Sequence, residues 1–111
     1  MGLPNIQGMM KQMQKMQEKM AQVQAELGQK TVKAESGGGM VKATVNGRQQ
    51  LVELHIEREV VNPDDREMLE DLVVAAVNKG LEDAQRMAQE EMAKATSGMI
   101  PNIPGLSLPG F

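Results

Sequence analysis

Seven apolar residues, Ile6, Met9, Met13, Met16, Met20, Val23 and Leu27, follow one another at alternating spacings of three and four. This is the a/d pattern of a heptad repeat, and no other feature constrains the fold as strongly. It calls for a helix, and for a second surface to bury the seam. Four of the seven positions are Met, which fills irregular gaps but specifies shape poorly.

That second surface has few large side chains to draw on. The 111-residue chain fits one domain and holds one Phe, no Trp and no Tyr. Its core must come from Met, Val, Leu, Ile and Ala. A small domain of this kind buries a limited core, so a homo-oligomer that extends the core is expected. There is no Cys, which excludes disulfides, thiolate catalysis and Cys-based metal sites. The opening MGLPNIQGMMKQM lacks the basic and apolar regions of a signal peptide. No apolar run approaches the roughly 18 residues that span a bilayer. The chain reads as soluble and intracellular, with no membrane partner.

Net charge is −3, unpromising for nucleic acid taken alone, but it is unevenly spread. Up to residue 33 there are five Lys against two Glu; residues 57–95 carry eleven acids against five bases. A locally basic surface on an acidic protein is therefore available.

The heptad helix is predicted over about Asn5 to Leu27, stopped by Gly28. The period then shifts to two. Thr31–Ser36 reads as a strand, Gly37-Gly38-Gly39 as a loose turn, and Met40–Val45 as a second strand with Val41, Ala43 and Val45 on one face. Asn46-Gly47 signals a hairpin of type I′, which needs positive φ at both central residues. Leu51–Ile56 is the third strand, with Val52, Leu54 and Ile56 inward and Glu53 and His55 outward. Asn62-Pro63-Asp64-Asp65 opens a second long helix, with Asn62 as the expected cap and Pro63 in the first turn. That helix carries a wide apolar stripe from Leu69 to Leu81 and runs to about Thr96.

The expected fold is α+β, in the order α-β-β-β-α, with a three-stranded antiparallel meander and two long helices. One domain over residues 1–98 would be followed by a Pro/Gly-rich apolar tail, 99–111. The tail is expected to be disordered, the alternative being a segment laid across a groove.

Candidate chemistry is sparse. After the triple glycine stand Met40 and Val41, not the Lys and Ser/Thr of a phosphate-cradling loop. His55 is the only histidine and has no ligand or catalytic partner in view. The carboxylates of the second helix fall mainly on its polar side. No catalytic residues, metal or cofactor are assigned, and a non-enzymatic protein is expected. Lys11, Lys15 and Lys19, at i, i+4 and i+8, form a ribbon that reads either as a phosphate-contacting strip or as ordinary solubility charge. Assembly or core packing is expected of Met13, Met16, Met20, Val23, Leu27, Val41, Val45, Leu54 and Leu72.

Glu35-Ser36-Gly37-Gly38-Gly39-Met40-Val41, continuing through the strand to Asn46-Gly47, resembles the YbaB/EbfC family of bacterial nucleoid-associated proteins. So do Pro63-Asp64-Asp65, Met68-Leu69-Glu70-Asp71-Leu72 and Ala75-Ala76-Val77-Asn78, and the order along nearly the whole chain agrees. One departure is Lys79-Gly80, where family members more often show an acidic residue and then Ala; Gly80 would permit close packing at a helix-propensity cost. The resemblance implies a tweezer-like homodimer in which sheets of two protomers join. It implies binding of double-stranded DNA with little sequence preference, and a location in the cytoplasm, at the nucleoid. It attributes DNA contact to charged residues of the long helices: Lys11, Lys15 and Lys19 first, then Arg86 and Lys94. A small-molecule substrate is not implied. The alternative is a dimeric protein-interaction module using Met-rich and acidic helix surfaces without direct DNA contact.

Overall fold

A computed structural model of the chain describes residues 6–97. Helix α1 spans Ile6–Leu27, as its heptad pattern requires. Past Leu27, the amides of Gln29 and Lys30 fold back to the Glu26 carbonyl at 3.0 and 3.1 Å and end the helix. Strands β1 (Thr31–Ser36), β2 (Val41–Asn46) and β3 (Leu51–Ile56) form an antiparallel meander in the order β1-β2-β3. Helix α2 spans Arg66–Ser97. The α-β-β-β-α order is the one the sequence predicts. The 99–111 tail lies outside the described residues.

Three local expectations are corrected. At the β2–β3 hairpin, Gln49 is the residue with positive φ (60°), not the Asn46-Gly47 pair. The Gln49 amide donates to the Asn46 carbonyl, so Gly47 and Arg48 are the centre of a turn and Gln49 a left-handed third loop residue. Second, Asn62 does not cap α2. Its Oδ1 accepts from the Asp64 amide in the preceding turn, while Asp65 Oδ1 accepts from the Met68 amide at 3.3 Å. Asp65 is therefore the N-cap, and Pro63 stands before the helix. Third, Val52 is not inward. Ile56 pairs with Val41 and Leu54 with Ala43, but a bulge beyond Thr44 sets Leu51 opposite Val45 and leaves Val52 as the extra residue. The triple glycine is a tight turn, with the Met40 amide donating to the Gly37 carbonyl and φ of 60°, 68° and 94°, backbone that residues with side chains rarely adopt.

Helix α2 packs over β1 and β2 through small side chains. Ala34, Val41, Ala43 and Val45 of the sheet are buried against Ala76, Gly80 and Ala84 of the helix. A Cβ at Gly80 would stand 2.7 Å from Val45 Cγ2, so glycine there brings the helix backbone close to the sheet. Ser36 Oγ donates to the Leu72 carbonyl at 2.5 Å and pins the end of β1 to the same helix. Val60, Ile56, Leu69, Leu72, Val73 and Val77 complete this core. Strand β3 lies outside the cover. Leu51, Val52 and Leu54 keep 45%, 54% and 38% of their surface exposed.

Candidate nucleic-acid interface

The heptad seam divides into two parts. Val23 and Leu27 are buried and Met20 is half-buried, whereas every residue from Ile6 to Lys19 is exposed. Only the last third of α1 is held to the body of the chain. The anchoring uses backbone as well as side chains. Gly47 donates its amide to the Leu27 carbonyl at 2.8 Å and the Lys30 carbonyl at 3.0 Å. Asn46, buried beside it, donates from Nδ2 to the Gly28 carbonyl and Gln50 Oε1, and accepts at Oδ1 from the amides of Arg48 and Gln50. An ion pair of 2.9 Å between Lys30 Nζ and Glu91 Oε2 ties the start of β1 to the far half of α2. The Lys30 hydrogen bond, with the fields of Lys30 and Lys94, holds the Glu91 carboxyl below its ordinary value.

Lys11, Lys15 and Lys19 lie on the exposed length of α1. Helical geometry, about 100° per residue, turns Lys11 and Lys15 away from the seam and sets Lys19 at its flank. None of the three forms an ion pair with another described residue. The other two expected DNA contacts differ. Arg86 stands 3.6 Å from Asp83, and Lys94 stands 3.9 Å from Glu91, so part of each charge is locally compensated. The structure thus gathers Lys11, Lys15 and Lys19 on one arm and separates them in charge environment from Arg86 and Lys94.

Of the expected packing residues, Val23, Leu27, Val41 and Val45 are buried, and Met20 and Leu72 are half-buried. Met13, Met16 and Leu54 are not part of the core of the single chain, being 62%, 39% and 38% exposed. The helix extends past the sheet, and Leu54 sits on the uncovered strand.

Sequence reasoning assigned no role to Arg48. It is exposed at the tip of the β2–β3 turn and lines a shallow open groove with Gln24, Gln85, Gln89 and Thr96. Guanidinium and amide donors gathered this way suit phosphate oxygens. Its one signal was its place directly after Asn46-Gly47, at the tip of a predicted hairpin. His55 Nε2 lies 3.2 Å from Glu57 Oε1 on the exposed face of β3. Among the described residues, no group of three or more His, Cys, Asp or Glu side chains is arranged to hold a metal ion. No helix among them is long and apolar enough to cross a membrane.

A small meander covered by one long helix, with a second helix extending past it carrying cations that form no ion pair among the described residues, defines an α+β protein with a helical arm. Residues 1–99 match the YbaB/EbfC DNA-binding family. The chain is 54% identical to a nucleoid-associated protein of Syntrophobacter fumaroxidans, over 92% of this chain and 91% of the relative. It is 58% identical to one of Caldanaerobacter subterraneus, over 92% and 90%, and 51% identical to one of Moorella thermoacetica, over the full length of both. The chain belongs to the YbaB/EbfC family. An uncharacterized protein of Helicobacter pylori, 23% identical, shares the fold with a TM-score of 0.66, over 81% of this chain and 91% of that one.

Proposed function

We propose that this chain is a non-enzymatic, nucleoid-associated protein that binds double-stranded DNA as a homodimer. Phosphate contacts from its long helices supply the affinity, and sequence preference is slight. The observation that carries this reading is the row of Lys11, Lys15 and Lys19, exposed and without ion pairs among the described residues, on the part of α1 that stands clear of the core. Arg48 joins that set from the base of the arm. Lysine on a flexible stem meets phosphate as a point charge and does not read base edges. Family membership, over residues 1–99, points to the same ligand.

The homodimer reading is supported by β3. It is an edge strand whose exposed side chains include Leu51, Val52 and Leu54, whereas the other edge, β1, exposes Thr31, Lys33 and Glu35. An exposed apolar edge is a template for another strand. Joining two copies there would cover these residues and set two arms on one body.

A second reading, a protein-interaction module without DNA contact, draws on the exposed Met9, Met10, Met13 and Met16. A gel-shift series on random duplex DNA over increasing salt, run beside a solution mass measurement, separates the two. Binding at low salt that weakens steeply with salt, from a particle of twice the chain mass, is expected. Undetectable duplex binding at low salt refutes the DNA reading. A monomeric mass refutes the dimer.

A further inference from the structure

We propose that two copies of this chain join β3 to β3, antiparallel and about a two-fold axis at Leu54, so that Glu53 of each copy stands opposite His55 of the other. The inference rests on the homodimer reading above and gives that dimer a register.

Strand β3 has β2 on one side and no strand on the other among the described residues. The ladder fixes which backbone groups are free on that side. Glu57 donates its amide to the Met40 carbonyl at 2.8 Å. The same ladder continues through Ile56–Val41, His55–Lys42, Leu54–Ala43 and Glu53–Thr44. Hydrogen-bonded and non-hydrogen-bonded pairs alternate in an antiparallel ladder. Glu57, His55 and Glu53 therefore turn their amides and carbonyls towards β2, while Ile56 and Leu54 turn theirs to the open edge. Those are the groups a further strand would pair with.

A second copy of the same strand meets narrow rules. A two-fold contact is isologous, so if residue i faces residue j, then j faces i. Directly opposed side chains lie on one face of the sheet, and faces alternate along each strand. With the axis normal to the sheet, i and j are then both even or both odd, and one residue on the axis faces its own copy. An axis at Glu53 opposes two carboxylates. An axis at His55 opposes two imidazoles and sets Glu53 against Glu57 twice. Like charges directly opposite are destabilising. An axis at Val52 falls on the bulge, where the spacing is irregular. An axis at Ile56 sets Leu54 against Arg58, which has already left the strand for the turn Arg58–Val60.

An axis at Leu54 avoids all of these conflicts. The two Leu54 residues exchange both free backbone bonds at the centre. Glu53 and His55, exposed on the face away from α2, meet across the join twice, acid against base, which is a stabilising cross-strand pair. Leu54, 38% exposed in the single chain, is covered by its own copy.

The chain has no Cys, so single cysteines report the register through disulfide formation. Opposed Cα atoms lie about 4.5–5.5 Å apart across antiparallel strands, a span that a disulfide bridges. Diagonal neighbours, about 7–8 Å apart, lie beyond it. Under mild oxidation of the full chain, Leu54→Cys should give several-fold more covalent dimer than Glu53→Cys or His55→Cys alone. Those two variants, mixed and allowed to exchange, should cross-link several-fold more than either does alone. Both positions are exposed, so the mixed pair reads the register even where Leu54→Cys disturbs folding. Cross-linking that is strongest in Glu53→Cys alone or His55→Cys alone, or equal in all, overturns the register. The solution mass of the parent chain separates this from the reading beneath it. A dimeric parent with those other cross-links keeps the dimer and discards the register, whereas a monomeric parent discards both.

Discussion

Gly47 donates its amide hydrogen to the Leu27 carbonyl at 2.8 Å, and a Cβ at Gly47 would lie 2.7 Å from Leu27 Cδ2. One residue of the hairpin turn thus sets how closely the sheet approaches the end of α1. The glycine is required for this approach and not for a positive φ.

Gly47→Ala is expected to destabilise the chain by about 1–3 kcal/mol, the usual cost of forcing atoms into a packed site. The added methyl would also meet the Leu27 carbonyl oxygen at 2.8 Å, a backbone atom that cannot swing away. Chemical denaturation measures the loss; an unchanged midpoint would mean that α1 and the turn are not in contact.

Gly80→Ala tests the second close approach by a competition of effects. Ala gains about 1 kcal/mol over Gly in a helix interior. Against it stands a methyl 2.7 Å from Val45 Cγ2, with an overpacking cost of about 1–3 kcal/mol. A net loss of stability is expected. In a Val45→Ala background the obstructing methyl is gone, and Gly80→Ala should become neutral or stabilising. The double-mutant cycle isolates that coupling; additive effects would refute the contact.

The Lys30–Glu91 pair gives a pH signature. Glu91 is held below its ordinary 4.5, chiefly by the Lys30 hydrogen bond and then by the charges of Lys30 and Lys94. A lowered carboxylate pKa contributes stability above the unfolded value, and that contribution is lost as pH falls through the folded one. Glu91→Gln should melt slightly below the parent at neutral pH. The gap should begin to narrow once pH drops below about 4.5 and vanish below the lowered folded value, and it should also narrow in high salt, since the pair is partly exposed.

Changing Lys11, Lys15 and Lys19 together to Ala should weaken duplex binding at low salt. Each phosphate contact contributes about 0.9 to the slope of log affinity against log salt, so six contacts from a dimer predict a fall in slope of about 5, and three a fall of about 3. Arg86→Ala and Lys94→Ala should matter less, because Asp83 and Glu91 already offset those charges. A triple variant with unaltered slope would remove α1 from the interface.

Much of the architecture was legible in the residues. Period carried it: spacing of three and four gave α1, alternation gave the strands, and the Leu69–Leu81 stripe gave α2. Details that depend on where one element meets another were not legible. Asn46-Gly47 marks a hairpin in any chain, yet here its glycine answers to Leu27 and its asparagine, 3% exposed, to Gly28 and Gln50. The bulge at Val52, beyond the Val45–Leu51 pair, is likewise not announced by a dipeptide motif. At the candidate interface the Lys ribbon was visible as spacing. Its lack of ion pairs among the described residues and the involvement of Arg48 were not, because both depend on residues distant in sequence.

The sequence by itself determined the order of elements, the seam, the cationic ribbon and the family resemblance, because each resides in local period or composition. Only the tertiary structure decided which part of the seam is buried. Among the described residues, α2 and the turn around Gly47 cover Leu27 and Val23, while Met16, Met13 and Met9 stay open. A heptad states that a surface is needed along its whole length. How far that surface reaches is set by the length and direction of the elements packed against it.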